Sequence, residues 1–148
     1  MSGLNRINNS ENGEKASVLR AELQTIMQNY FGVFRRGDFM KEGIEKLKAL
    51  RPRIENVVLE DKSNAFNTAR IEALELQNLF ATAEATAIAA EGRTESRGAH
   101  AREDFQDRDD ENWLCHSIFY PESKTLGKRG VNFNLKTREA FAPKVRTY

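Results

Sequence analysis

A seven-residue apolar repeat runs through the middle of the chain and constrains its fold more than any other sequence feature. The members of the repeat are Ala69, Ala73, Leu76, Phe80, Ala83, Ala87 and Ala90. Alternating steps of four and three residues place them on one helical face, and the alanines let neighbouring helices approach closely. The repeat therefore predicts a central helix from about Asn67 to Glu91. We expect its apolar face to pack in the hydrophobic core and not to line a cofactor-binding site.

Two shorter amphipathic segments precede this helix. The first, residues 16–34, carries Leu19, Leu23, Ile26 and Tyr30 on one face, widened by Met27, Phe31 and Phe34; the second carries Met40, Ile44, Leu47, Leu50 and Ile54. Between them, Gly37 suits the position after a helix and Asp38 can cap the next one, while Pro52 should end or kink the second helix near Arg51. Because a short connection forces antiparallel neighbours, residues 1–92 are predicted to form an antiparallel three-helix, up-down-up bundle.

Composition excludes several classes of protein. The chain has 148 residues, one Cys and two His, so an internal disulfide is impossible and a zinc site is not expected. Its longest apolar runs are only a few residues, so no membrane insertion is expected. Residues 124–148 carry seven basic residues against one acidic residue. This basic arm fits a solvated tail or a docking arm for an acidic protein, and nucleic-acid binding ranks last because stacking aromatics are sparse.

After Gly92 the pattern changes, and residues 93–148 are predicted to pack on the bundle or on other domains. The stretches Trp113–Tyr120 and Gly130–Leu135 are rich in β-formers, and the turn-like stretch Pro121–Arg129 separates them. This pattern predicts a C-terminal β-hairpin that needs a surface to lie on.

Residues 93–113, here called the charged segment, carry arginines and acids without a helical period. The arginines are Arg93, Arg97, Arg102 and Arg108. Such residues form bidentate pairs if they are buried at an interface, or weak pairs if they are exposed. The pattern leaves both readings open. A catalytic Cys115 is disfavoured, because adjacent strand residues Cys115 and His116 point to opposite faces. Asp109, Asp110 and Glu111 fit a helix N-terminus better than a magnesium site.

Several motifs match one family. They are Glu-Ser-Arg-Gly-Ala-His at 95–100, Arg-x-Asp at 102–104, Arg-Asp-Asp at 108–110, Trp113, His116 and the ending Pro-Lys-Val-Arg-Thr-Tyr at 143–148. With the stretches 27–35 and 74–79, they make nearly the whole chain resemble the C-terminal region of bacterial succinate dehydrogenase flavoproteins, a family shared with fumarate reductase and L-aspartate oxidase. Gln106 stands where the family usually has Pro, which questions only the local turn.

The resemblance implies a parent enzyme that oxidises succinate to fumarate with covalently bound FAD and passes electrons to an iron-sulfur subunit and quinone. It also implies a peripheral place on the cytoplasmic side of the bacterial inner membrane. The Gly-x-Gly-x-x-Gly turn that binds the flavin nucleotide is absent here. We therefore expect a piece of a larger flavoprotein, with no catalytic, cofactor or metal residue of its own, that packs on the flavin-binding and capping domains and can self-associate when isolated.

The residues singled out as family-motif and interface candidates are Arg93, Glu95, Ser96, Arg97, His100, Arg102, Asp104, Arg108, Asp109, Trp113 and His116. In the resembled family the substrate arginines lie elsewhere, so structural pairing is the expected role of the arginines. An interface role predicts that Arg97→Ala scarcely changes the melting of the isolated chain yet impairs assembly. The alternative function is a stand-alone helical adaptor, which predicts a closed surface without an exposed apolar patch.

Overall fold

The computed structural model describes residues 13–59, 61–63, 65–134, 136–139, 141 and 144. Its elements are, in order, α1 (Ala16–Phe31), β1 (Phe34–Arg35), α2 (Gly37–Glu55), α3 (Thr68–Gly92), β2 (Ala101–Arg102), α4 (Asp110–Trp113), β3 (Cys115–Tyr120) and β4 (Thr125–Gly130). The chain is mainly helical, as the sequence predicts, and it has two small sheets, of which the sequence predicts only the hairpin. The three long helices pack on one another, and the hairpin of β3 and β4 lies against α3.

The apolar repeat forms the centre of the core, as predicted. Six of its seven members are buried, and Ala69 is partly buried against them. The side chain of Asn67 caps α3 by accepting a hydrogen bond of 2.8 Å from the backbone N–H of Arg70. The core also takes in Val57 and Leu59 from the connection after α2, which periodicity could not assign because they lie outside a helix.

A close contact between α1 and α2 depends on a glycine. A Cβ atom at Gly43 would lie 2.5 Å from the Cβ of Tyr30 and 2.6 Å from the ring of Phe31. Any larger residue at this position would therefore push the two helices apart.

The connection between α1 and α2 differs from the prediction. Helix α1 ends at Phe31, so Phe34 does not widen its apolar face and is 76% exposed in β1 instead. Gly37 begins α2 and does not follow α1, and Asp38 lies within the first turn. The N–H of Gly37 donates to the carboxylate of Asp104 at 2.9 Å, so the helix end is satisfied by a residue far away in sequence.

Pro52 does not end the second helix near Arg51, although an end there is one of the two outcomes that the sequence predicts for it. Helix α2 continues to Glu55. Pro52 lies in the final turn, where it removes only one backbone hydrogen bond, and two contacts hold the last residues in place. Ile54 is buried in the core, and the Arg53 guanidinium donates to Glu14 and Glu22 at 2.6–2.8 Å.

The hairpin is present, but its second strand starts five residues earlier than predicted. Strand β4 is Thr125–Gly130 and pairs with β3 from Tyr120↔Thr125 to Cys115↔Gly130. The predicted turn over Pro121–Arg129 shortens to Pro121–Lys124, with Lys124 in the left-handed region at φ 56°. Residues 131–134 are not in a strand, and Leu135 lies outside the described residues. The apolar alternation after Gly130 predicted the second strand at the wrong position. The tight turn after β3 sets the register of the hairpin, and alternation along one strand does not report it.

Truncating the core tests the central role of the repeat. Leu76→Ala is expected to lower the free energy of unfolding by about 2–5 kcal/mol, because Leu76 is fully buried and its loss leaves a cavity. Leu79→Ala on the same helix is the control, since Leu79 is 41% exposed. Urea denaturation should show a much smaller loss for the control, and equal losses would contradict this packing.

Candidate functional site

The charged segment is organised around one buried carboxylate, Glu95, whose side chain is fully buried. It accepts hydrogen bonds from Arg93, from Arg97 at 2.7 and 3.0 Å, and from the backbone N–H of Asp109 at 2.9 Å. Burial acts to raise the pKa of Glu95, but the bonds from Arg97, the Asp109 N–H and Arg93 outweigh it and leave the pKa below its ordinary value. Glu95 is therefore held as a carboxylate.

Arg93 connects this centre to the hairpin. Its guanidinium donates to the carbonyl oxygens of Trp113 at 3.0 Å and Cys115 at 2.6 Å, and to the hydroxyl of Ser117 at 3.3 Å. It also lies over the Trp113 ring, 5.0 Å from the centroid. One side chain thus joins the end of α3 to β3.

Arg97 and Arg108 share a second carboxylate, Asp110. Arg97 donates to it at 2.6 Å and Arg108 at 2.8 Å. The neighbouring Asp109 caps α4 by accepting from the N–H of Asn112 at 2.9 Å, which confirms the predicted helix start ahead of Trp113. Arg108 also donates to the carbonyl of Lys144 at 2.8 Å.

Arg102 holds two helix ends together. Its side chain is 2% exposed and pairs bidentately with Asp104 at 2.7 Å for both bonds. Its third nitrogen donates to carbonyl oxygens of Ala90, Glu91 and Arg93 at 2.9–3.3 Å, where α3 ends. Because Asp104 also accepts from the first residue of α2, the pair bridges the C-terminus of α3 and the N-terminus of α2.

Ser96 closes the loop of the charged segment. Its hydroxyl accepts from the N–H of Arg102 at 2.8 Å and donates to the carbonyl of Phe105 at 2.8 Å. Its own N–H donates to the carbonyl of Asp107 at 3.0 Å. These bonds fold residues 96–107 back on themselves.

His100 pairs with an arginine that the sequence did not place in the site. Arg35 donates to Nδ1 of His100 at 2.7 Å, which assigns the proton to Nε2, 3.1 Å from the carbonyl oxygen of Arg93. Burial lowers the pKa of His100, and the charges of Arg35, Arg102 and Arg93 lower it further. The parallel pairing of β1 with β2 brings Arg35 to this position.

This arrangement predicts a pH dependence of stability. Because the pKa of His100 is lower in the folded chain than its ordinary 6.5, its contribution is complete above that value and is lost as the pH falls. The free energy of unfolding should therefore decrease as the pH falls from about 6.5 towards about 5, and less so in His100→Gln, whose amide can make both bonds without titrating. Denaturation curves across this range check it, and identical slopes would contradict the neutral imidazole.

The remaining predicted residues are not assembled for nucleophilic chemistry. His116 is exposed, and within the described part of the chain its ring has no hydrogen bond. The Cys115 sulfur lies 4.0 Å from the carbonyl oxygen of Asn112 and has no base beside it among the described residues. Both residues border an open groove of about 380 Å³, together with Arg35, Arg93, His100 and Ser117.

Sequence reasoning also missed Glu84. It lies next to the apolar repeat on α3, is 9% exposed, and pairs with Arg51 of α2 and with Lys124 of the hairpin turn, the latter at 2.7 Å. Burial acts to raise the pKa of Glu84, but these two cations hold it below its ordinary value. The sequence signal that could have found Glu84 is a single acidic residue within a stretch of α3 that is rich in alanine.

Neither a metal site nor a nucleotide turn is present among the described residues. Within them, no group of three or more His, Cys, Asp or Glu side chains could hold a metal ion. Gly98 adopts the left-handed region at φ 59° in the tight turn between the bridged residues Arg97 and His100, and not between a strand and a helix. None of the helices described is long and apolar enough to cross a membrane.

Comparisons with known proteins agree with this picture. The family model described as fumarate reductase flavoprotein C-term matches residues 20–148. The succinate dehydrogenase flavoprotein subunit of Coxiella burnetii is 45% identical over 143 residues, which are 97% of this chain and 24% of that protein. The mitochondrial succinate dehydrogenase [ubiquinone] flavoprotein subunit of Oryza sativa subsp. japonica is 39% identical over 98% of this chain and 24% of its own length.

A solved structure shows the same fold. The E. coli quinol fumarate reductase flavoprotein superposes with a TM-score of 0.81 and 31% identity, over 94% of this chain and 24% of that one. The chain thus spans about a quarter of the length of the relatives it matches.

Proposed function

The chain belongs to the fumarate reductase flavoprotein C-terminal family, and from this membership we propose that it is the C-terminal helical region of a succinate dehydrogenase flavoprotein subunit. The observation that carries the proposal is 45% identity along almost the whole chain to a curated succinate dehydrogenase subunit. The whole subunit oxidises succinate to fumarate and passes the electrons to an iron-sulfur subunit and quinone.

The flavin chemistry belongs to the rest of that subunit. Covalently bound FAD would supply hydride acceptance there, and the described residues of this chain do not fit it, because they include no nucleotide turn between a strand and a helix. The described residues are therefore assigned no step of the reaction.

The role proposed for this chain is architectural. Two charged residues of the charged segment, Glu95 and Arg102, are buried, and each binds several partners. Such a network fixes the shape of a surface without touching substrate, which is how an outer domain can hold a catalytic domain rigid.

Two finer architectural points belong to the same proposal. We propose that the described part of residues 1–92 forms the bundle and that the described part of residues 93–148 forms a second part that packs on it. The helices run up, down and up, which is supported by Arg53 near the end of α2 contacting Glu22 near the start of α1, and by Arg20 of α1 contacting Glu75 of α3.

The proposed partners are the flavin-binding and capping domains of the same polypeptide and the iron-sulfur subunit, at the cytoplasmic face of the bacterial inner membrane. Exposed apolar residues support a covered face over a stand-alone adaptor: Val33 is 72% exposed, and the next residue, Phe34, is 76% exposed. An adaptor with a closed surface would bury such residues.

The test compares this 148-residue chain with the full-length flavoprotein. The full-length protein should purify with covalent flavin absorbance and oxidise succinate with an artificial electron acceptor. The 148-residue chain should show neither. Two results would refute the proposal. One is flavin bound to the isolated 148-residue chain, and the other is a full-length protein that carries no flavin although FAD was supplied during expression.

A further inference from the structure

The open groove beside His100 carries an uncompensated positive charge. It lies between α3, the charged segment and β3, with Ala89 and Ala90 on its α3 side and with Arg35, Arg93 and His100 also lining it. Its volume of about 380 Å³ is enough for a side chain of another segment.

Arg35 is the source of this charge. Its guanidinium donates to the carbonyl oxygen of Gly32 at 3.1 Å and to the imidazole of His100, and both acceptors are neutral. No carboxylate pairs with it among the described residues. The arginines of the charged segment differ, because Arg93, Arg97, Arg102 and Arg108 each pair with a carboxylate.

Partial burial makes this unpaired state costly. Burial lowers the pKa of Arg35, because the guanidinium has lost part of its solvation and no carboxylate among the described residues pairs with it. The residue is nevertheless held in place: its carbonyl oxygen accepts from the N–H of Glu103 at 2.8 Å within the β1–β2 pairing, and its guanidinium is oriented by the bonds to Gly32 and His100. A fixed guanidinium with a free edge on a groove fits a carboxylate, whose two oxygens match its donors.

We propose that a carboxylate side chain from the remaining part of the parent flavoprotein docks in this groove and pairs with Arg35. The inference rests on the proposed function, because that function supplies the missing polypeptide: this chain spans about a quarter of its relatives. A single carboxylate balances the one unpaired charge, and His116 and Ser117 border the groove as further polar contacts.

The experiment uses the full-length flavoprotein with the variant R35K and a carbodiimide. The variant keeps the positive charge and supplies an amine, and the carbodiimide joins an amine to a contacting carboxylate as an amide while it takes up the elements of water and becomes a urea. Mass spectrometry of the digest then identifies the peptide joined to position 35. R36K is the matched control, since the adjacent Arg36 pairs with Asp38 inside the chain.

The expected result is a cross-link from position 35 to an Asp or Glu outside these 148 residues, at least about tenfold more abundant than any such link in R36K. Links only within these residues, or equal yields in both variants, would overturn the proposal. A succinyl adduct at position 35 after added succinate, without a peptide cross-link, would also overturn it by indicating a free dicarboxylate.

A second measurement tests the proposal if the R35K variant does not fold. In the unmodified full-length protein, one carboxylate outside these residues should resist labelling by carbodiimide and glycine ethyl ester, and R35Q should expose it. Flavin absorbance and succinate oxidation of the unmodified protein test the proposed function separately, so failure of the groove proposal leaves them unchanged.

Discussion

Glu95→Ala is expected to remove about 3–5 kcal/mol from the free energy of unfolding, one of the largest effects of any single substitution in the charged segment. The carboxylate is fully buried and binds two guanidinium groups and one backbone N–H. Its loss leaves the N–H of Asp109 without its acceptor and removes the shared counter-ion of Arg93 and Arg97. Urea denaturation of the 148-residue chain measures the change.

Glu103→Ala is the control for this substitution, because Glu103 lies in the same segment but is exposed. It should change the free energy of unfolding by no more than about 0.5 kcal/mol. Arg97→Ala should fall between the two, since Arg93 and the Asp109 N–H still bind Glu95. The expectation that Arg97→Ala leaves the isolated chain unchanged is thereby replaced, because Arg97 contacts a buried group. A Glu95→Ala variant as stable as the control would show that Glu95 is not a structural centre.

The pH dependence of Glu95 gives an independent check. Its folded pKa is below the ordinary 4.5, so its stabilising contribution is complete above about that pH and is lost as the pH falls. The unfolding free energy of the wild-type chain should therefore drop more steeply in acid than that of Glu95→Gln. Parallel curves would contradict the depressed pKa.

Arg102→Leu is expected to destabilise the chain by a similar amount, about 3–5 kcal/mol, because it removes a buried guanidinium that binds Asp104 bidentately and also three carbonyl oxygens. The substitution leaves Asp104 without its guanidinium and removes the donor to three carbonyl oxygens at the end of α3. Hydrogen exchange should show the largest loss of amide protection at the end of α3 and at the start of α2, the two helix ends that Arg102 and Asp104 bridge.

Arg36→Leu serves as the matched control, since Arg36 is 47% exposed and pairs with the exposed Asp38. Exposed pairs contribute about 0–1 kcal/mol, so its effect should be small. Equal loss of stability in both variants, or uniform exchange along the whole chain for Arg102→Leu, would contradict the role of Arg102 as a bridge between helix ends.

Motif recognition found the right segment of the candidate site but not its contacts. Arg93, Glu95, Arg97 and Arg102 were selected as charged residues, and the structure shows which acid each arginine binds. Arg35 lies within the family-like stretch 27–35 but was not selected as a candidate site residue, and its guanidinium donates to the carbonyl of Gly32. Its contact with His100 depends on a strand pairing between residues 67 positions apart, Phe34 with Ala101 and Arg35 with Arg102, which no local pattern reports.

The sequence by itself determined the three helices, their buried faces and the family, because helical period and short motifs are local properties of the chain. Only the tertiary structure decided how the helix ends are satisfied, where β4 lies and which charges meet. Asp104 satisfies the start of α2 from 67 residues away, and Glu84 joins α2 to the hairpin turn. Hydrogen bonds and ion pairs act over about 3 Å, so their partners are set by where the folded chain returns and not by spacing along it.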